Sequence, residues 1–187
     1  TAGAVLQGGH ALNLSRMTGI RGIRKAADRD AYVLRVQPGV GLADLRAAVR
    51  GGDIRTEAWS AESRAAWAEL QRGDPCFFPP DPTETSAAIG GMVACNASGA
   101  QSFHYGPTRR YVERLRVVLA DGDVLDLQRG VQKADGGAFR VTTVQGRTLE
   151  GVLPDYTMPD VKSAAGYYVA PDMDLVDLFI GAEGTLG

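Results

Sequence analysis

The stretch AYVLRVQPGVGLADLRAAVR changes its hydrophobic period halfway along. Tyr32, Leu34 and Val36 fall on one side of an alternating strand, and after Pro38-Gly39 the apolar residues Leu42, Leu45 and Val49 recur at helical spacing. This predicts a strand, a turn and a short amphipathic helix in succession. A second helix is predicted over Ala61–Arg72, where Trp67 and Leu70 lie three apart and Gly73-Asp74-Pro75 ends the pattern. In VERLRVVLADGDVLDL two apolar runs flank Asp121-Gly122, which predicts a β-hairpin closed by a two-residue turn. Residues 139–153 predict a second hairpin around Gln145-Gly146. A polar, proline-punctuated stretch from Pro154 to Pro171 then leads to a short helix carrying Leu175, Leu178 and Phe179 on one face. The chain contains no internal repeat and no low-complexity linker, and the pattern is that of one α+β unit.

Composition narrows the function. The 187 residues are 44% hydrophobic and 22% charged with a formal net charge of -2, so there is no basic field for nucleic acid. Cys76 and Cys95 form neither a disulfide framework nor a zinc pattern, which suits reduced thiols. No apolar run reaches the ~20 residues of a membrane span and no signal peptide opens the chain, so the expected location is the cytoplasm. Both ends, Thr1-Ala2-Gly3 and Gly184-Thr185-Leu186-Gly187, read as cut from a longer protein.

The chemistry concentrates in PPDPTETSAAIGGMVACNASGAQ, residues 79–101. Pro79, Pro80 and Pro82 stiffen an extended turn that presents Asp81, and Thr83 or Thr85 is placed to cap a helix beginning near Ser86. The N–H groups at such a helix start suit an anion, most simply a phosphate. Gly90-Gly91 lets a backbone or a flat ligand approach closely, at a cost of about 1 kcal/mol per helical glycine. Tight helix packing is the structural alternative for that pair. Asn96 carries a short amide suited to a heterocycle edge or to a helix end. Together these features suggest a large flat cofactor with phosphates, and their spacing fits neither the common dinucleotide fingerprint nor the P-loop.

This segment, followed by YGPTRRYVERLRVVLADGDVL and LFIGAEGTLG, closely resembles the FAD-binding domain of vanillyl-alcohol-oxidase type flavoproteins. Within that superfamily it is most similar to D-lactate dehydrogenases, the D component of glycolate oxidase, D-2-hydroxyglutarate dehydrogenases and alkyl-dihydroxyacetone-phosphate synthases. The resemblance implies an α+β domain of the FAD-binding type-2-like (PCMH) kind, with a mixed, mainly antiparallel sheet flanked by helices and without the first small α/β subdomain. Residues 1–187 would be the second, larger part of that domain.

It also implies cofactor contacts. Thr1, Ala2 and Gly3 match the tail of the pyrophosphate loop. Pro80, Asp81, Pro82 and Thr83 match the turn that lines the flavin, and Gly90, Gly91, Asn96, Ala97 and Gly99 match the segment along isoalloxazine and pyrophosphate. Tyr105 and Gly106 match a Tyr-Gly step, and Glu183, Gly184 and Thr185 match a Glu-Gly-Thr that closes over the cofactor. Lys162, Gly166 and Tyr167 resemble a further segment near the flavin. Ala2 and Met92 depart from the family, which often has glycine and asparagine there.

Other residues invite a catalytic reading and have a plainer one. His10 and His104 suit acid–base work or a covalent flavin link, with a loop or solvent role as the alternative. Cys95 is read as a small buried thiol and Arg109-Arg110 as surface charges rather than an anion fork. Trp59 and Trp67 are read as packing. Asp172 to Asp177 alternates acidic and apolar residues like a half-exposed helix. The implied activity is FAD-dependent oxidation of a small 2-hydroxy acid by hydride transfer, with the rest of the parent chain supplying the substrate domain. The alternatives are a synthase of the alkyl-dihydroxyacetone-phosphate type, which Ala97-Ser98-Gly99 resembles slightly, and a non-catalytic subunit with a degenerate flavin site.

Overall fold

Glycine at positive φ closes two of the hairpins. In the computed structural model, which describes residues 12–161, 163, 164 and 166–187, β3 (Arg114–Val118) pairs antiparallel with β4 (Val124–Gln128). Leu119 N–H donates to the Asp123 carbonyl at 2.8 Å and Gly122 N–H to the Leu119 carbonyl at 2.9 Å. The loop therefore has Ala120, Asp121 and Gly122 between its closing residues, correcting the two-residue turn. The two-residue type I′ turn that Asp-Gly favours needs positive φ at both centres, whereas only Gly122, at φ 85, has it here. The second hairpin, β5 (Ala138–Thr142) with β6 (Thr148–Val152), repeats this geometry with Gly146 at φ 91. The third joins β1 (Ile20–Lys25) to β2 (Tyr32–Val36), with a register irregularity at Gly22.

These strands form three two-stranded sheets, all antiparallel. The antiparallel expectation holds, but among the described residues there is no parallel ladder and no single mixed sheet. Alternation along a strand reports which face is buried; it carries no information about which strand lies alongside.

The chain divides into two compact units. In the first along the chain, whose described part runs to Met92 and adds Ser98–Tyr105, α1 (Leu42–Val49) buries Leu42, Leu45 and Val49 as its period requires. Helix α2 (Ala61–Arg72) has the bounds expected from sequence: the Ser60 hydroxyl accepts from Ser63 N–H at 3.2 Å and Gly73 follows its last turn. It packs on β1, where Ser63 Oγ donates to the Ile23 carbonyl at 2.9 Å. Trp59 is 5% exposed and packs with Ile23 and Leu70, Trp67 lies against this cluster, and Trp59 Nε1 donates to the Ile20 carbonyl at 3.0 Å. Both tryptophans are packing residues.

The expected helix start near Ser86 is displaced. Helix α3 covers Ile89–Ala94, because the preceding residues are drawn into extended pairing with the start of α1: Gly41 bridges Ala88, and Leu42 N–H donates to the Ala87 carbonyl at 2.9 Å. The turn at Ser86 is held by the Glu84 carboxylate, which accepts from Ser86 N–H at 2.8 Å and from its hydroxyl at 2.7 Å. Helix α4 is the single turn Ser102–Tyr105.

The second unit, Val93–Ala97 and Gly106–Gly187 in its described part, has the larger core. The β3-β4 hairpin contributes Val117, Leu125 and Leu127, β5 contributes Val141, and Val169, Met173, Val176 and Ile180 close over them. Val144 N–H donates to the Val124 carbonyl at 2.8 Å and ties the two hairpins together. The described residues between Pro154 and Pro171 are irregular, as expected, and α5 is one turn, Val176–Phe179. Asp177 on that turn is 6% exposed, which corrects the reading of a half-exposed acidic helix.

Candidate functional site

In the first unit the proline turn is braced from inside. One Arg46 amino group donates to the Pro80 carbonyl at 3.0 Å and to Asp81 Oδ1 at 2.8 Å. Asp81 is thus engaged by the protein rather than held out on the turn. Behind it, a Cβ added at Gly99 would lie 1.6 Å from the Asp81 carbonyl oxygen, so Gly99 is required by the close approach of two backbones. Pro80 and Pro82 are buried and Thr83 is exposed. Tyr105 stacks edge-on against Phe77 at 5.4 Å and against His104 at 4.6 Å.

The adjacent helical glycines have different reasons to be glycine. A Cβ at Gly90 would lie 2.5 Å from Pro38 Cβ, and Gly90 N–H donates to the Pro38 carbonyl at 2.8 Å. A Cβ at Gly91 would meet nothing within 4 Å. Gly91 is exposed, and among the described residues its N–H has no acceptor. The helix start offers less to an anion than its position suggests, because Ile89 N–H is also consumed, by the Val40 carbonyl at 2.8 Å. What remains is one bare peptide at Gly91, and that fits close approach by a flat ligand carrying an acceptor. Met92 is 1% exposed, so the departure from the family's asparagine is a core substitution.

In the second unit the structure brings Asn96 and Ala97 together with Glu183, Gly184 and Thr185. Gly181 N–H donates to the Val93 carbonyl at 3.0 Å and Glu183 N–H to the Ala94 carbonyl at 2.9 Å. Asn96 Oδ1 accepts from Arg109 N–H at 2.9 Å, and the Ala97 carbonyl accepts from the Thr108 hydroxyl at 2.7 Å. Thr185 Oγ1 lies 2.8 Å from the Tyr167 hydroxyl and donates to the Ala182 carbonyl at 2.6 Å. Gly106, at φ 82, lies against the Arg110 side chain.

A buried ionic hub underlies this cluster, and sequence reasoning missed it. The Arg109 guanidinium donates to the Asp177 and Ile180 carbonyls, approaches Asp177 Oδ1 at 3.3 Å and lies 4.4 Å from the centre of the Tyr168 ring. Arg129 grips the same carboxylate from the other side, with both amino groups at 2.8 Å. Burial pulls Arg109 below the usual arginine range despite Asp177 beside it, whereas hydrogen bonding to Asp177 pushes Arg129 up. Both guanidinium groups stay charged near neutral pH. Arg109 is therefore a positioning residue rather than a surface charge.

His104 is exposed on α4, and Cys95 is half-buried. Thr1, Ala2, Gly3, His10 and Lys162 lie outside the described residues. Among the described residues, no group of three His, Cys, Asp or Glu side chains is placed to hold a metal, and no helix is long and apolar enough to cross a membrane.

With this geometry in place, comparison with known proteins shows what the chain is similar to. Residues 64–128, which include the proline turn and the glycine helix, match the family described as FAD binding domain, and FAD is the cofactor of that domain type. Particular relatives refine it. The chain is 31% identical over 186 residues to a D-lactate dehydrogenase of Anaerostipes hadrus, covering 99% of this chain and 26% of that protein. It is 35% identical over 112 residues to glycolate oxidase subunit GlcD of Bacillus subtilis, covering 59% of this chain and 16% of the relative. With D-2-hydroxyglutarate dehydrogenase of Stutzerimonas stutzeri the identity is 32% over 112 residues, 59% of this chain and 17% of the relative. The chain thus spans about a quarter or less of the length of these relatives.

Proposed function

We propose that this chain is the larger, second part of a PCMH-type FAD-binding domain in an oxidoreductase that oxidises a small 2-hydroxy acid. The observation that carries the cofactor reading is Gly91, an exposed helical glycine whose N–H has no acceptor, and whose added Cβ would have no neighbour within 4 Å, among the described residues. The substrate class is supported by the names of the relatives, which are dehydrogenases of D-lactate and D-2-hydroxyglutarate and a glycolate oxidase subunit. When bound, FAD supplies the two-electron acceptor for the α-hydrogen as the hydroxy acid becomes an oxo acid and its hydroxyl proton leaves to a base or to water.

The role of this chain is to bind and orient. Gly91 offers a bare peptide, Asn96 uses its amide oxygen on Arg109 while its amide nitrogen has no hydrogen-bond partner among the described residues, and Glu183, Gly184 and Thr185 form a loop held by the Val93–Ala97 segment. In the first unit Gly99 and Arg46 fix the proline turn, and in the second the hub beneath Arg109 fixes the loop that carries Glu183.

The test uses the full-length parent. Acid precipitation is expected to release FAD in near-stoichiometric amount, and anaerobic D-lactate, glycolate or D-2-hydroxyglutarate is expected to bleach the visible flavin absorbance. Absence of flavin after reconstitution with FAD would overturn the cofactor reading and favour a degenerate subunit. Bound FAD that none of the three acids reduces would overturn the substrate class and direct attention to the synthase alternative.

A further inference from the structure

A cavity of about 160 Å³ opens within the first unit, where the end of α1 meets the segment that leads into the proline turn. Two guanidinium groups line it. Arg46 and Arg50 stand four positions apart, and Arg50 N–H donates to the Arg46 carbonyl at 3.1 Å, so helical spacing places both on one side, where like charges repel. Arg46 has its own compensation in the Asp81 carboxylate at 2.8 Å. Arg50 is exposed, and among the described residues its guanidinium has no hydrogen bond or ion pair. A cation suits the carboxyl end of α1, but that accounts for neither the second guanidinium nor the space between them. Asp81 is the one acid in the lining, which is left with one positive charge in excess. Gln101 adds an amide that is likewise without a partner among the described residues. Phe77 and Phe78 supply an aromatic wall, and Phe77 is 57% exposed while its ring is held edge-on against Tyr105.

We propose that this cavity binds a small monocarboxylate with an oxygen on the neighbouring carbon, as in a three-carbon 2-oxo or 2-hydroxy acid, and that Arg50 anchors the carboxylate. One carboxylate neutralises the excess charge, whereas a phosphate dianion would leave the site negative. The planar fork of Arg50 matches a carboxylate edge, and the Gln101 amide both donates and accepts, which serves a hydroxyl or an oxo group beside it. The aromatic wall covers the carbon atoms. A cavity of about 150 Å³ holds benzene, and pyruvate and lactate have the same number of heavy atoms. The lining shares Asp81 with the proline turn but contains none of Gly91, Asn96 and Glu183, so occupancy does not depend on the cofactor.

Cys76 lies in the lining and is exposed, so its thiol reports occupancy. The full-length parent, with and without FAD, is treated with the neutral reagent iodoacetamide, and alkylation of Cys76 is followed by peptide mass spectrometry. Cys95, in the other unit, is the internal control. Pyruvate is expected to slow alkylation of Cys76 saturably and to leave Cys95 unchanged. Arg50→Gln is expected to raise the half-protecting concentration about tenfold or more, the effect of losing a charge-assisted bond, with an unchanged denaturation midpoint. Arg50→Lys, which keeps the charge without the fork, is expected to fall between the two. Absence of protection by pyruvate would overturn the proposal, as would protection that survives intact in Arg50→Gln. Inorganic phosphate that protects as well as pyruvate would overturn the monocarboxylate assignment. Loss of pyruvate protection once FAD is bound would make the cavity part of the cofactor site and overturn it as an independent one. Wild-type protein that takes up no FAD yet is protected by pyruvate would overturn the cofactor reading and leave this site standing.

Discussion

Helix α3 and the loop after α5 carry opposite mismatches between residue and backbone. At Gly91 a helical backbone holds a residue that costs about 1 kcal/mol relative to alanine, in open space. At Glu183 a left-handed backbone, the conformation glycine suits, holds a residue with a full side chain. Other positions serve as controls. Gly90 and Gly99 are glycines for which Pro38 and Asp81 leave no room, and Asn96 is a left-handed residue whose side chain is used internally. A mismatch the fold compensates describes folding. A mismatch it leaves uncompensated, on an exposed surface, points outward to a ligand.

The comparison breaks first if the loop after α5 does not depend on the ionic hub. Asp177 is 6% exposed between two guanidinium groups, and Arg109 also donates to the carbonyls of Asp177 and Ile180. Asp177→Asn removes the carboxylate that the two guanidinium groups share and leaves Arg129 with Asp174, at 3.5 Å. The expected loss is about 3 kcal/mol or more in chemical denaturation, together with loss of bound FAD. A loss under about 1 kcal/mol, within the range of a surface pair, would mean that the hub does not hold the loop.

Gly90→Ala tests the compensated side. Its new methyl meets Pro38 Cβ at 2.5 Å and the Pro38 carbonyl oxygen at 2.9 Å, both belonging to a rigid turn. Overpacking of this kind costs about 1–3 kcal/mol, more than the helix propensity gained. Denaturation midpoints of the apoprotein measure it, and a stabilised Gly90→Ala would show that α3 is free to move away from Pro38.

How much of this was legible in the sequence follows the range of the forces. Helix α2 could be bounded because its cap Ser60, its periodic residues and Gly73 are neighbours in sequence. The hairpins at Gly122 and Gly146 could be placed for the same reason, but Asp-Gly serves more than one loop geometry, so the loop length was misread. The site was legible as a segment and not as individual roles. Glycine at 90 and 91 reads identically until Pro38 arrives beside one of them. Displacement of the α3 start was hidden in pairing between Gly41 and Ala88, and the hub joins Arg109 to Asp177 across 68 positions. Asp177 sat in an acidic, apolar alternation whose ordinary meaning is a solvated face.

Gly91→Ala gives the smallest change in stability and the sharpest separation of fold from function. The added methyl meets nothing within 4 Å and the helix gains a better former, so the apoprotein is expected to gain up to about 1 kcal/mol. FAD retention is expected to fall in the same variant, and Gly91→Val, with a larger side chain on the same bare peptide, is expected to abolish it while leaving the protein folded. Both quantities come from one preparation, as the denaturation midpoint of the apoprotein and the flavin-to-protein ratio of the reconstituted protein. A stabilised variant that kept its full complement of flavin would leave Gly91 without a ligand to explain it and would remove α3 from the cofactor surface. Gain of stability with loss of flavin is the signature of a position where the fold is kept below its optimum by what it binds.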